Sequence, residues 1–305
     1  FLCMYRPAIT LFTGHRIQQM VNPYKEIRLQ DLSASESQDM VESLLNTEDV
    51  PSELRQFVQE KVEGNPFYLE EVANSLIESD TLIHDNGRWQ MTRPITETDI
   101  SSTIHGLISA RLDRLKNETK RVLQEASVIG RAFLFEILKR VTDPEQDIDQ
   151  SMRGLEQLDL IRTRTFEPDL EYIFKHALTQ EVVYNGLLKK ERQQMHERIG
   201  LVMEELFHER LPEFYETLAF HFKESNSIHK AIDYLLKSGE KSFKKSAVEE
   251  SHRYFKDAFD LLTEKSMRTR EEDHLLINLL IKWQPLFTYG ANYQRLRDLF
   301  RDHLH

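Results

Sequence analysis

A single cysteine, Cys3, stands among 305 residues. It excludes an internal disulfide framework and any zinc site built on cysteine. It also fits a reducing, cytoplasmic setting. Long apolar runs are missing as well. The longest candidate, Leu275 to Ile281, is interrupted by Asn278 and falls far short of the ~18 residues a membrane span needs. Cations are not in surplus. The net charge is -11, and -9 of it lies in residues 1–100. No stretch carries the basic excess that a phosphate backbone demands, so neither DNA nor a membrane is expected as a partner. Glycine is sparse and dispersed: of ten, the nearest two are Gly186 and Gly200. Phosphate-cradling loops need glycines a few residues apart, so GxGxxG and GxxxxGK(S/T) are both excluded here.

What is present is a folded profile, with 30% charged and 40% apolar residues. The length suits two domains or three small ones. The chain opens on Phe1-Leu2-Cys3-Met4-Tyr5, which reads as the middle of a buried strand rather than a secretory leader. We therefore expect a piece cut inside a domain.

Residues 1–31 read as two strands around a loop, the second being Ile27-Arg28-Leu29. Helices follow. Ser33-Ala34-Ser35-Glu36 is a capping box, with Met40, Val41, Leu44 and Leu45 expected on one face behind it. Pro51 suits the start of a second helix and Pro66 that of a third, with Gly64 as the stop between them. Asn86-Gly87 between short alternating runs marks a hairpin with a type I′ turn. Residues 103–200 have the order of a winged helix, a bundle followed by two strands flanking Glu167-Pro168-Asp169. Residues 211–305 read as helical almost throughout. One 34-residue helical-hairpin repeat fits, with Gly239, Ser251 and Ala258 letting its two helices approach closely. Such arrays need several repeats, so continuation past His305 is expected.

Several strings in order resemble one family. They are Tyr5-Arg6-Pro7; Leu29-Gln30-Asp31-Leu32-Ser33; Glu63-Gly64-Asn65-Pro66-Phe67-Tyr68-Leu69-Glu70-Glu71; Ile108-Ser109-Ala110-Arg111-Leu112-Asp113-Arg114-Leu115; Ala126-Ser127-Val128-Ile129-Gly130-Arg131-Ala132-Phe133; Tyr172 through Tyr184; and Leu218-Ala219-Phe220-His221-Phe222. Together they resemble the bacterial multidomain signalling ATPases of the STAND branch of the AAA+ class, over about residues 1–265. The resemblance implies a mainly α chain: the end of a P-loop α/β core (1–31), a helical lid with a β-hairpin (32–100), a winged-helix domain and trailing helices (101–208), and TPR-like repeats (209–305). It implies ATP, with Mg2+ held by a core upstream of Phe1, since Walker A and Walker B are absent from this sequence. Many members carry a class III adenylate or guanylate cyclase as output domain. The implied partners are ATP or ADP, and a protein partner or output domain docked on the repeats.

The resemblance also names residues. Arg6 matches a sensor cation facing the γ-phosphate; the plainer reading is a solvated arginine at a strand end. Gly64-Asn65-Pro66 matches the GxP motif of STAND lids, whose proline packs on adenine; the plainer reading is helix punctuation, and both hold together. Glu70 and Glu71 are adjacent, so they point apart on a helix and read as solvated first-turn glutamates rather than an acid/base pair. None of the twelve histidines has metal-site spacing, and His196-Glu197-Arg198-Ile199-Gly200 lacks the second histidine of HExxH. The expected recognition helix of the winged helix, about Glu145 to Asp159, holds five acids against Arg153, which argues against DNA. The residues of this chain suggest no catalysis of their own. The leading expectation is the regulatory part of an ATP-dependent signalling switch. The alternatives are a non-enzymatic repeat scaffold and, last, a winged-helix transcription regulator.

Overall fold

The computed structural model describes residues 27–62, 64–95, 100, 101, 103–166, 169–264 and 268–289, with Met4 and Arg301 as isolated positions. The first expected strand and Arg6 lie outside the described residues. The chain divides into two units, Phe1–Ile104 and His105–His305. The described residues are mostly helical, with thirteen α-helices and five short strands among them. None of these helices is long and apolar enough to cross a membrane.

In the first unit, residues 27–33 belong to no helix or strand, and Ile27 and Leu29 are exposed. The expected strand at Ile27-Arg28-Leu29 is therefore corrected: these three residues pair with no strand among the described residues. Helix α1 (Ala34–Leu45) starts at Ser33 through the expected capping box, with Ser33 N–H donating to Glu36 Oε2 at 2.8 Å and Glu36 N–H to Ser33 Oγ at 3.3 Å. Its buried stripe is Ser37, Val41 and Leu45, while Leu44 is exposed. The i, i+4 spacing spreads this stripe over about 80° of the helix, and Leu44 falls just past its Ser37 edge. Helices α2 (Ser52–Lys61) and α3 (Pro66–Glu78) follow. Strands β1 (Leu82–Asp85) and β2 (Arg88–Met91) pair antiparallel, with Asn86 and Gly87 both at positive φ as a type I′ turn requires. Trp89 Nε1 donates to the Leu45 carbonyl at 2.8 Å, tying the hairpin to the end of α1.

The second unit opens with α4 (Ile104–Asp113) and α5 (Asn117–Ile129). Then come β3 (Ala132–Leu134), α6 (Phe135–Val141), α7 (Ile148–Gln157), β4 (Ile161–Thr165) and β5 (Glu171–Phe174). The sheet order is β3-β5-β4, all antiparallel. Strand β3 adds a third strand to the two expected, in a stretch where Phe133, Leu134, Ile137 and Leu138 share the spacing of one helix face. Three residues cannot display alternation, and Phe133 becomes a strand residue by pairing with Tyr172 and packing on Phe174. Buried Arg111 of α4 donates to the Leu158 carbonyl at 2.9 Å, which fixes α4 against the end of α7.

Helices α8 (Ala177–Asn185), α9 (Lys189–Leu206), α10 (Tyr215–Glu224), α11 (Ile228–Lys244), α12 (Val248–Thr263) and α13 (Arg270–Tyr289) follow. From α9 onward each packs on its successor. Two of these pairs use the same device. A Cβ on Gly200 of α9 would lie 2.7 Å from the Phe222 ring of α10, and one on Gly239 of α11 would lie 2.9 Å from the Phe255 ring of α12. Ser251 Oγ then donates to the Gly239 carbonyl at 2.7 Å, and Ala258 is buried in the same seam.

Candidate functional site

The turn at Gly64-Asn65-Pro66 is built from three local requirements. Helix α2 stops at Lys61, and Val62 turns extended. Gly64 then takes φ +77°, a region where side chains are strained. Its carbonyl accepts a hydrogen bond from Leu32 N–H at 2.8 Å. A Cβ at Gly64 would sit 2.2 Å from the Leu32 carbonyl oxygen. Backbone therefore lies directly against backbone, and only glycine permits it. Leu32 immediately precedes the Ser33 cap, so the clasp joins the segment entering α1 to the segment entering α3.

Asn65 caps α3: its Oδ1 accepts from Phe67 N–H at 3.0 Å and Tyr68 N–H at 3.2 Å. Pro66 is the first helical residue, where a missing N–H costs nothing. Both Asn65 and Pro66 are exposed, whereas Gly64 is buried. Pro66 thus offers a rigid apolar face at a helix N-terminus, whose partial positive charge favours an anion nearby. The Tyr68 hydroxyl donates to the Ser101 carbonyl at 2.9 Å, and burial pushes its pKa up. The two hydrogen bonds from Ser33 hold the Glu36 carboxyl below its ordinary range, so that cap is charged near neutrality.

The expected adenine-facing residues Gly64, Asn65 and Pro66 consequently divide. Gly64 is consumed by Leu32, Asn65 by its cap, and Pro66 alone keeps an open face. Leu32 was missed from sequence; its partner is 32 positions away and no local pattern announces it. Glu71 corrects another expectation. It is buried on α3 rather than solvated, because α3 packs on both α1 and β1 and its inward arc is wide.

Elsewhere, buried His196 and His221 meet through their Nδ1 atoms at 2.9 Å, one necessarily donating and the other accepting. The His196 Nε2 lies 3.0 Å from the Tyr184 hydroxyl, while His221 Nε2 is buried without a partner among the described residues. Burial lowers His196 to about 4, aided by the Arg192 charge, and His221 to about 3. Both rings are neutral at pH 7 and act as a polar seam between α9 and α10. Among the described residues no three His, Cys, Asp or Glu side chains are grouped to hold a metal ion.

With this geometry in view, three likenesses bear on the chain. A profile described as a domain of unknown function (DUF8739) matches residues 33–89. That span runs from the Ser33 cap to Trp89 and so contains α1, the turn, α3 and most of the hairpin. An uncharacterized protein of Rhizobium meliloti (strain 1021) is 22% identical over 247 residues, covering 78% of this chain and 23% of that protein. A crystal structure of a Signal Transduction ATPase with Numerous Domains protein with a tetratricopeptide repeat sensor, from Pyrococcus horikoshii, aligns over 90% of this chain and 53% of that one, at a TM-score of 0.37 and 13% identity. This chain spans about a quarter of the rhizobial protein and about half of the archaeal one. The profile match takes in the Ser33 cap, the Gly64-Asn65-Pro66 turn and the hairpin as far as Trp89, with Leu32 just outside it, and the archaeal likeness assigns no residue at that TM-score.

Proposed function

We propose that this chain is the regulatory part of an ATP-binding signal-transduction ATPase, in which a nucleotide-dependent change at the first unit is passed to a winged helix and a TPR-like array. The observation that carries this reading is the Leu32–Gly64 clasp. The backbone leaving residues 1–31 is hydrogen-bonded to the residue two positions before Pro66. Any displacement of Pro66 is therefore shared with the connection to what lies before it. Pro66 keeps an exposed apolar face suited to a purine ring, and Arg6 is assigned by resemblance to sensing the γ-phosphate. ATP would supply the charge that distinguishes the two states, and the residues that hold its phosphates and Mg2+ belong to a core upstream of Phe1.

The helix–strand–helix–helix–strand–strand order from α5 to β5, with sheet order β3-β5-β4, supports reading a winged helix within residues 101–208. The stacked helices from α9 to α13, with a close approach repeated at Gly200 and Gly239, support the repeat array as a docking surface for a protein partner or an output domain such as a class III cyclase.

A scaffold without nucleotide is the rival, favoured by the fact that Leu32 alone accounts for Gly64 and the cap alone for Asn65. The two separate by experiment. Translation of the reading frame upstream of Phe1 is expected to give a strand followed by GxxxxGK(S/T). In the complete protein Pro66→Ala is expected to weaken ATP binding about tenfold, the loss of roughly 1.4 kcal/mol of apolar contact. A frame without the lysine-bearing loop, or an unchanged ATP affinity in that variant, leaves the scaffold.

A further inference from the structure

An open groove of about 760 Å³ runs along α7 and is walled on its other side by the α4–α5 corner. Its volume is that of a ligand site, ~300–1,000 Å³. Helix α7 contributes Gln150, Ser151, Arg153, Gly154 and Gln157, and the corner contributes Arg114 and Lys116.

The acidity expected of this helix lies mostly elsewhere. Glu156 accepts from the Thr163 hydroxyl at 2.8 Å, and Asp159 from Arg162 and Lys175. Glu145 and Asp149 do not line the groove. Of the α7 acids only Asp147 does, and its carboxylate caps the helix through Gln150 N–H at 3.0 Å. Lys116 and Arg153, by contrast, have no ion-pair or hydrogen-bond partner among the described residues, and both are exposed.

Gly154 is the second observation. Glycine inside a helix is destabilising relative to alanine. At Gly200 and Gly239 a neighbouring ring explains the glycine, but no atom lies within 4 Å of where a Cβ on Gly154 would stand. The protein's own packing does not use that space. Ser151, one turn back on the same face, is 94% buried (6% exposed), and its hydroxyl has no hydrogen-bond partner among the described residues.

We propose that this groove binds an extended acidic peptide segment of a partner protein. Gln150 and Gln157 stand seven positions apart on α7, about 10.5 Å at the helical rise and so the reach of roughly three extended residues. Each amide offers a donor and an acceptor to a peptide backbone. Gly154, between them, lets that backbone come close, and Lys116 and Arg153 select carboxylates by charge-assisted bonds. Nucleic acid needs a long basic stripe, which a chain carrying -11 does not offer, whereas two neighbouring cations suffice to pair the few carboxylates of a short peptide. The site is independent of the nucleotide switch and stands if that reading fails.

The test is fluorescence anisotropy with the 305-residue chain. One probe is a pool of labelled hexapeptides fixed as Asp or Glu at two positions; a second pool has Lys or Arg there; a third probe is a labelled DNA duplex. Two variants are compared. Gly154→Gln fills the groove with a side chain whose Cβ meets nothing, so it keeps its circular dichroism and does not lower its melting temperature. Lys116→Glu with Arg153→Glu reverses the charge. The acidic pool is expected to bind, and each variant to weaken it at least about tenfold, with no binding of the basic pool. The proposal is overturned if the acidic pool does not bind, if it binds Gly154→Gln as it binds the parent chain, or if DNA is the probe whose binding the variants abolish.

Discussion

Gly64 shows how a single residue can be dictated by a contact far along the chain. With φ +77° and a virtual Cβ 2.2 Å from the Leu32 oxygen, Gly64→Ala must either break the Leu32 hydrogen bond or strain the turn. We expect it to destabilise the first unit by about 2–4 kcal/mol, read as a lower urea midpoint for the Trp89 fluorescence transition. Asn65→Ala, which removes only a cap, is expected to cost about 1 kcal/mol in the same measurement. If the two variants were equally mild, the clasp would not constrain the turn. The glycine was visible in the sequence as punctuation. Its partner was not, because a backbone hydrogen bond across 32 positions has no signature in side-chain chemistry.

At the scale of elements, two glycines inside helices separate by what surrounds them. Gly239→Ala pushes a methyl group into the buried Phe255 ring, which is itself stacked on Trp283 and cannot retreat. Overpacking exceeds the gain in helix propensity, and a net loss of about 1–2 kcal/mol is expected by thermal unfolding. Gly154→Ala meets open space and is expected to stabilise by about 0.5–1 kcal/mol. Opposite signs from one substitution type are the check; equal signs would mean that the α11–α12 seam is looser than it is drawn. The elements with local causes were legible in advance: the Ser33 capping box, the Asn86-Gly87 turn, the starts at Pro51 and Pro66, the Gly239–Ser251–Ala258 seam. Strand β3 was not, since Ala132–Leu134 is extended only because β5 lies beside it.

For the whole molecule, acid is the informative perturbation. His196 and His221 titrate below the ordinary ~6.5 of histidine, at about 4 and about 3. Between those values and 6.5 the unfolded chain binds more protons than the folded one. Their contribution is complete above about pH 6.5 and is lost as pH falls toward 4 and then 3. Going from pH 7 to pH 5 is expected to cost about 2 kcal/mol per histidine. Urea midpoints at the two pH values measure it, and NMR titration of the ring protons identifies the residues. Rings that protonate near pH 6.5 in the native state would contradict the buried pair. No sequence reading placed these two together, 25 positions apart on different helices.

The sequence by itself determined what depends on neighbours within a turn or two: helix starts and stops, the hairpin, the helical majority, and the absence of glycine loops, metal spacing and basic excess. Those follow from backbone stereochemistry and composition, which act locally. The tertiary structure decided which faces those helices turn to one another. It spent Gly64 on Leu32, buried Glu71, joined His196 to His221, and engaged Glu156 with Thr163 and Asp159 with Arg162 and Lys175 while leaving Gln150, Arg153 and Gln157 along a groove. Side-chain chemistry is written in the chain, but its surroundings are set only when distant segments pack, and function at this protein's surfaces depends on those surroundings.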